Sequence, residues 1–105
     1  MEPIRELIAV DLEMTGLQVK TDRILEIGAV RLVDGQLRDT FQTFVNPHRR
    51  IDARITELTG IWPEMVENAP EAEEALRKFL EFAGEAPFLG HNAVSYTHLT
   101  LPTIA

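Results

Sequence analysis

The sequence predicts an α/β or α+β layer: a hairpin-rich sheet followed by a helix and one further strand. Three observations carry this. Short apolar, β-branched runs open the chain, and a DG pair joins two of them. An apolar period of three to four then occupies residues 70–83, ahead of one last apolar run.

Taken in order, ELIAVDL (6–12) reads as a strand with β-branched Ile8 and Val10. The polar stretch 15–23 reads as a loop. ILEIGAVRLV (24–33) is a second strand, interrupted by Glu26, where Gly28 suggests a bulge or a close backbone approach. Asp34-Gly35 marks a hairpin, because Gly tolerates positive φ. Residues 36–46 alternate in part and form a third strand, broken by NPHRR (46–50). DARITELTG (52–60) reads as a short helix closed by Gly60, and EMVENAP (64–70) as another helical turn. Pro70 suits a first helical residue, with Glu71, Glu73 and Glu74 near the positive end of the helix dipole. Ala72, Ala75, Leu76, Phe79, Leu80 and Ala83 form the apolar face of the helix over 70–83. APFLG (86–90) is the last strand. Trp62 and the phenylalanines read as core.

At 105 residues the chain is one domain at most. Its 45% hydrophobic and 26% charged content is that of a globular protein. Cysteine is absent, which excludes disulfides and thiolate metal sites and fits a reducing compartment. No apolar run reaches the roughly 20 residues of a membrane span, and no basic-then-apolar leader opens the sequence. A cytoplasmic protein without a membrane partner is expected. The net charge of −7 counts against passive coating of nucleic acid by Lys and Arg. It leaves open chemistry in which carboxylates hold divalent cations and so reverse the local field.

AVDLEMTG (9–16) raises that possibility. Alternate strand residues share a face, so Asp11 and Glu13 form one acidic patch at a strand end. Such hard oxygen ligands suit Mg²⁺ or Mn²⁺. Three-residue patterns are common, and D-x-E alone reads as a solvated strand end. Glu26, by pattern, faces water on the open side of the sheet; if buried, it must be paired or bind metal. His91 and Asn92 read as a turn after a strand, with the histidine structural.

AVDLEMTGL (9–17), DRILEIGAV (22–30), FVNP (44–47), ITELTGI (55–61), ENAP (67–70) and GHNA (90–93) occur together in this order. In combination they resemble the DEDD superfamily of 3′–5′ exonucleases, in particular the branch of the proofreading epsilon subunit of bacterial DNA polymerase III. DLEMTGL is also similar to oligoribonuclease, which trims short RNA. The resemblance implies a ribonuclease H-like mixed sheet flanked by helices. It implies two Mg²⁺ or Mn²⁺ ions at Asp11 and Glu13. Asp11 would contact both ions; Glu13 would bind one and help place the water or the terminal 3′-hydroxyl. Thr15, Gly16 and Leu17 match the turn at the 3′-terminal nucleotide. Thr59, Gly60 and Ile61 match the segment near that sugar and base, and Asn92 an element beside the second motif. The implied partners are a DNA 3′ end, or RNA in the oligoribonuclease-like alternative, and a DNA polymerase. A third alternative is a non-catalytic interaction module. Its signature would be a missing D-x-E, which is intact here.

The pattern stops after Ala93. The family continues through one residue to Phe-Asp, whereas this sequence has Val94, Ser95 and Tyr96. The second-motif aspartate is replaced by Tyr96, and His98 has neither the spacing nor the following acid of the third motif. Residues 1–93 are therefore expected to be the N-terminal part of an exonuclease domain, and 94–105 a foreign tail. Two metal carboxylates of four remain, without the general-base His that would deprotonate the attacking water, so this chain is expected to be inactive. Mg²⁺-dependent shortening of single-stranded DNA by the purified chain, lost in Asp11→Ala, would overturn that. Uncovered apolar faces and strand edges are expected to leave it marginally stable.

Overall fold

The computed structural model describes residues 5–18 and 20–92, apart from the side chains of His91 and Asn92. Strand β1 spans Glu6–Met14, β2 Ile24–Val33 and β3 Gln36–Phe44. Helices α1 (Ala53–Thr59), α2 (Pro63–Val66) and α3 (Ala72–Ala83) follow, and β4 (Phe88–Asn92) closes the order. The four strands form one mixed sheet in the order β3-β2-β1-β4. β1 runs antiparallel to β2 and parallel to β4, and β2 runs antiparallel to β3. This is the α/β layer expected from the sequence. No helix among the described residues is long and apolar enough to cross a membrane.

Local chemistry explains most boundaries. Asp34 and Gly35 both adopt positive φ, 52° and 80°, which is the backbone of a tight hairpin whose twist matches its strands. Asp52 caps α1 by accepting from the Arg54 amide, and Gly60 ends it in the left-handed region. β1 runs two residues beyond the expected end, because Met14 still pairs with Ile24 across a register shift.

α3 lies on one face of the sheet. Ile8, Val10 and Leu12 of β1 and Ile27 and Ala29 of β2 pack with Ala75, Phe79 and Ala83 of α3. Phe41, Phe82 and Phe88 pack against this cluster. Burying each large aliphatic side chain contributes about 1.5–3 kcal/mol. A second, smaller cluster of Leu25, Ile51, Ile61 and Val66 seats α1 and α2 at the end of the sheet. Arg31 ties β2 to the end of α3: it donates to Glu6 at 2.5 Å and to the Phe82 carbonyl, and lies 4.9 Å from the Phe82 ring centroid.

Five expectations are corrected. His91 and Asn92, expected to form a turn, are the last two residues of β4, where their backbones pair with Asp11 and Leu12. α3 begins at Ala72 with Glu71 as its cap, because the Pro70 carbonyl accepts from the Asn46 amide and holds that residue outside the helix. The helix also buries a narrower stripe than its apolar pattern suggests. Ala72, Leu76 and Leu80 are exposed, since a helix resting on a flat sheet touches it along one line. Trp62 is not core: it caps α2 and is 60% exposed. Gly28 marks neither a bulge nor a close approach. The register shifts lie at Glu13/Met14 and Arg31/Leu32, and a Cβ on Gly28 would meet only the Asp11 carbonyl at 3.8 Å.

Candidate active site

Asp11 and Glu13 lie on the face of the sheet turned away from α3, because Val10, Leu12 and Met14 take the core face. The antiparallel register sets Glu13 directly opposite Glu26, and Asp11 opposite Gly28. Three carboxylates therefore share one face, and the missing side chain at Gly28 leaves room beside Asp11. Glu26 is on the side of the sheet its pattern suggested, but it is half-buried and accepts from Gln42 Nε2 at 2.8 Å.

Glu13 is electrostatically unsatisfied. Its Oε1 is buried and has no hydrogen-bond partner among the described residues. Burial pushes the carboxyl above its ordinary value of 4.5, and the charges of Asp11 and Glu26 push it the same way. A buried unpaired acceptor beside two like charges gains from a cation. The donor set consists of hard oxygens, which fits Mg²⁺ or Mn²⁺. Among the described residues no group of three or more His, Asp or Glu side chains is arranged as a metal cage. Asp11 and Glu13 would thus supply part of a coordination shell.

Beyond β1 the chain turns through Thr15, Gly16 and Leu17 and faces α1. Thr15, Gly16, Leu17 and Asp22 line one wall of a cleft of about 580 Å³, and Asp52, Arg54, Ile55 and Leu58 line the other. Leu17 is 55% exposed and Leu58 is also exposed, so both walls present apolar surface to solvent. Thr59 and Ile61 stand elsewhere. The Thr59 hydroxyl donates to the Ile55 carbonyl and accepts from the Ile61 amide, while the Ile61 side chain is buried in the second core. Gly60 lines a separate groove beside Trp62, Pro63 and Arg50. Asn92 pairs through its backbone with Leu12; its side chain, like residues 94–105 with Tyr96 and His98, lies outside the described residues.

Sequence reasoning missed Asp22, Ile55 and Leu58. ITELTGI pointed to the right helix but to its end, whereas the helical period brings Ile55 and Leu58 round to the cleft. Asp22 opens the DRILEIGAV motif, but nothing in the sequence shows what its carboxylate holds.

The sequence matches the model of the RNase T family, described as exonuclease, over residues 8–100. The chain belongs to this exonuclease family. It is a DEDD-type exonuclease domain, as the sequence resemblance implied. Among the relatives of this chain, a PolC-type DNA polymerase III of Caldanaerobacter subterraneus subsp. tengcongensis is 51% identical over 88 residues. One of Clostridium perfringens is 48% identical over 88 residues. Each match covers 84% of this chain and 6% of the relative, so the likeness is to a short segment of a far longer polypeptide. Exonuclease X, solved in complex with 5′ overhanging duplex DNA, is similar at a TM-score of 0.71 and 26% identity, over 93% of this chain and 55% of that one. A full-length 3′-exonuclease gives a TM-score of 0.72 at 19% identity, covering 87% of this chain and 47% of that one, and shows the shared fold.

Proposed function

We propose that this exonuclease domain is built for DNA 3′ ends and the 3′–5′ direction, with Asp11 and Glu13 holding divalent cations, Mg²⁺ or Mn²⁺, at the scissile phosphate; with Tyr96 where the family has its second-motif aspartate, the 105-residue chain binds but does not cleave. The observation that carries this is the buried Glu13 Oε1, without a hydrogen-bond partner among the described residues, on the same face as Asp11 and opposite Glu26. Cations bound there would stabilise the negative charge that develops on the phosphate oxygens during in-line displacement. Asp11, the exposed member, faces the incoming phosphate. Glu13, the half-buried one, anchors the inner side. Gln42 holds the Glu26 carboxylate in place beside them.

The cleft beside α1 receives the terminal nucleotide. Leu17 and Leu58 offer apolar surface to the base and sugar, and the turn at Thr15 and Gly16 brings backbone close to the ligand. Thr59, Gly60 and Ile61 support α1 from behind, and Asn92 sits on the strand next to β1. DNA is the substrate supported best, because the relatives at 48% and 51% identity are DNA polymerases. The same likeness supports action alongside a polymerase, whether in one polypeptide or as a partner.

Thermal unfolding of the 105-residue chain with and without Mn²⁺ tests the metal assignment. Mn²⁺ is expected to raise the midpoint of the wild type; at a hundredfold excess over Kd the gain is about 2.7 kcal/mol. Asp11→Asn is expected to lose most of it. A wild-type midpoint indifferent to Mn²⁺ sinks the assignment.

A further inference from the structure

The turn that follows the carboxylates is closed by backbone bonds from the Thr21 and Asp22 amides to the Gln18 carbonyl and is braced by one side chain. Asp22 Oδ1 accepts from the Thr15 hydroxyl at 2.7 Å, and Oδ2 accepts from the Gln18 amide at 2.8 Å. Arg49 Nη1 lies 3.6 Å from Oδ1, tying the turn to the segment after β3. The Asp22 side chain is only 17% exposed. Thr15 is fixed a second time: its amide donates to the Arg23 carbonyl at 2.8 Å and its hydroxyl accepts from the Arg23 amide at 2.9 Å. The Thr15 hydroxyl proton is therefore committed to Asp22 and turned away from any ligand.

Gly16 completes the device. A Cβ on Gly16 would lie 2.6 Å from Asp22 Oδ2 and 2.9 Å from its Cγ, inside van der Waals contact. The carboxylate packs on the bare Cα, so glycine is required here by close approach. Both oxygens are used as acceptors, so asparagine, with one acceptor and one donor in their place, cannot satisfy the same turn.

We infer that Asp22 is a positioning residue of the nucleic-acid site: it holds the Thr15–Gln18 turn so that Leu17 stands in the cleft opposite Ile55 and Leu58, next to the Glu13 end of β1. This rests on the reading of the cleft as the seat of a nucleic-acid 3′ end. Asp22 itself touches no ligand in this role; it acts through the turn. Loss of its two accepted bonds would loosen the turn at Leu17, leaving only its backbone bonds, without disturbing the core clusters, of which neither Asp22 nor Leu17 is a member.

The test is fluorescence anisotropy of a labelled oligothymidylate with the 105-residue chain in Mn²⁺, comparing wild type with Asp22→Asn. The Gln18 amide is followed by NMR and the folded fraction by circular dichroism. Asp22→Asn is expected to weaken binding about tenfold, corrected for folded fraction, with the Gln18 amide proton moved upfield. A purely structural role would lower the folded fraction and leave the corrected affinity unchanged. Gly16→Ala, which displaces the carboxylate without removing it, is the second variant should Asp22→Asn fail to fold. It is expected to weaken binding similarly, and to add little once Asp22 is also alanine. Wild-type binding matched by a folded Asp22→Asn variant overturns the inference and leaves the substrate reading intact. A wild type that does not bind the oligonucleotide overturns the substrate reading, and the positioning role with it.

Discussion

Phe79→Ala is expected to destabilise the domain by about 3–5 kcal/mol, the cost of removing a core aromatic and leaving a cavity. Phe79 is 4% exposed and sits edge-on to two rings: Phe41 at 6.1 Å and Phe88 at 5.7 Å between centroids. It joins α3 to β3 and β4 at once, so no single neighbour can collapse into the space. A small domain has roughly 5–15 kcal/mol of stability in all. The variant should therefore show a strongly lowered urea midpoint or no cooperative transition. Leu80→Ala is the matched control. Leu80 is the next residue on the helix but 57% exposed, and its loss should change stability by about 0.5 kcal/mol or less. Equal losses for the two variants would mean that α3 is seated on a different face.

Glu13→Gln is expected to stabilise the metal-free chain at neutral pH and to remove its response to Mn²⁺. The folded state raises the Glu13 pKa above its ordinary 4.5, through burial first and then through Asp11 and Glu26. The folded form thus holds the Glu13 proton more tightly than the unfolded form does. Below pH 4.5 Glu13 is protonated in both states, and its effect on stability is neutral-like and fully favourable. As pH rises through the raised folded value, the carboxylate ionises beside two like charges and that contribution is lost. Glutamine keeps the shape without the charge, so the variant should match wild type in acid and exceed it at pH 7. The gain should be roughly 0.5–1 kcal/mol, since Glu13 is half-exposed and solvent screens its neighbours. In a domain of this size the melting midpoint moves by about 4–8 °C per kcal/mol. With Mn²⁺ present the order should reverse, because the wild type gains a ligand and the variant does not. A variant no more stable than wild type at pH 7, with the same Mn²⁺ response, would remove Glu13 from the site.

Much of this site was legible in the residues themselves. AVDLEM carries alternation, so Asp11 and Glu13 had to share a face and oppose Val10 and Leu12. Asp34-Gly35 named its own turn, and Gly60 named the end of α1, because caps and tight turns are chemistry between near neighbours. The family motifs named the exonuclease family, and the family match over residues 8–100 shows the same family.

Tertiary structure alone decided the rest. The β1–β2 register places Glu13 against Glu26 and Asp11 against Gly28, and pairing across a loop is set by the whole sheet and not by either strand. The same holds for α3. Its sequence offers a broad apolar surface, and only contact with the sheet selects Ala75, Phe79 and Ala83 from it and leaves Leu76 and Leu80 in water. Asp22 is the clearest case. A loop aspartate becomes the clasp of the turn only when Thr15, Gln18 and Arg49 arrive around it, and Gly16 becomes indispensable only because that carboxylate then lies on its Cα. Local sequence thus determined which groups could do chemistry. Long-range packing, which fixes register, burial and charge proximity together, determined which of them meet.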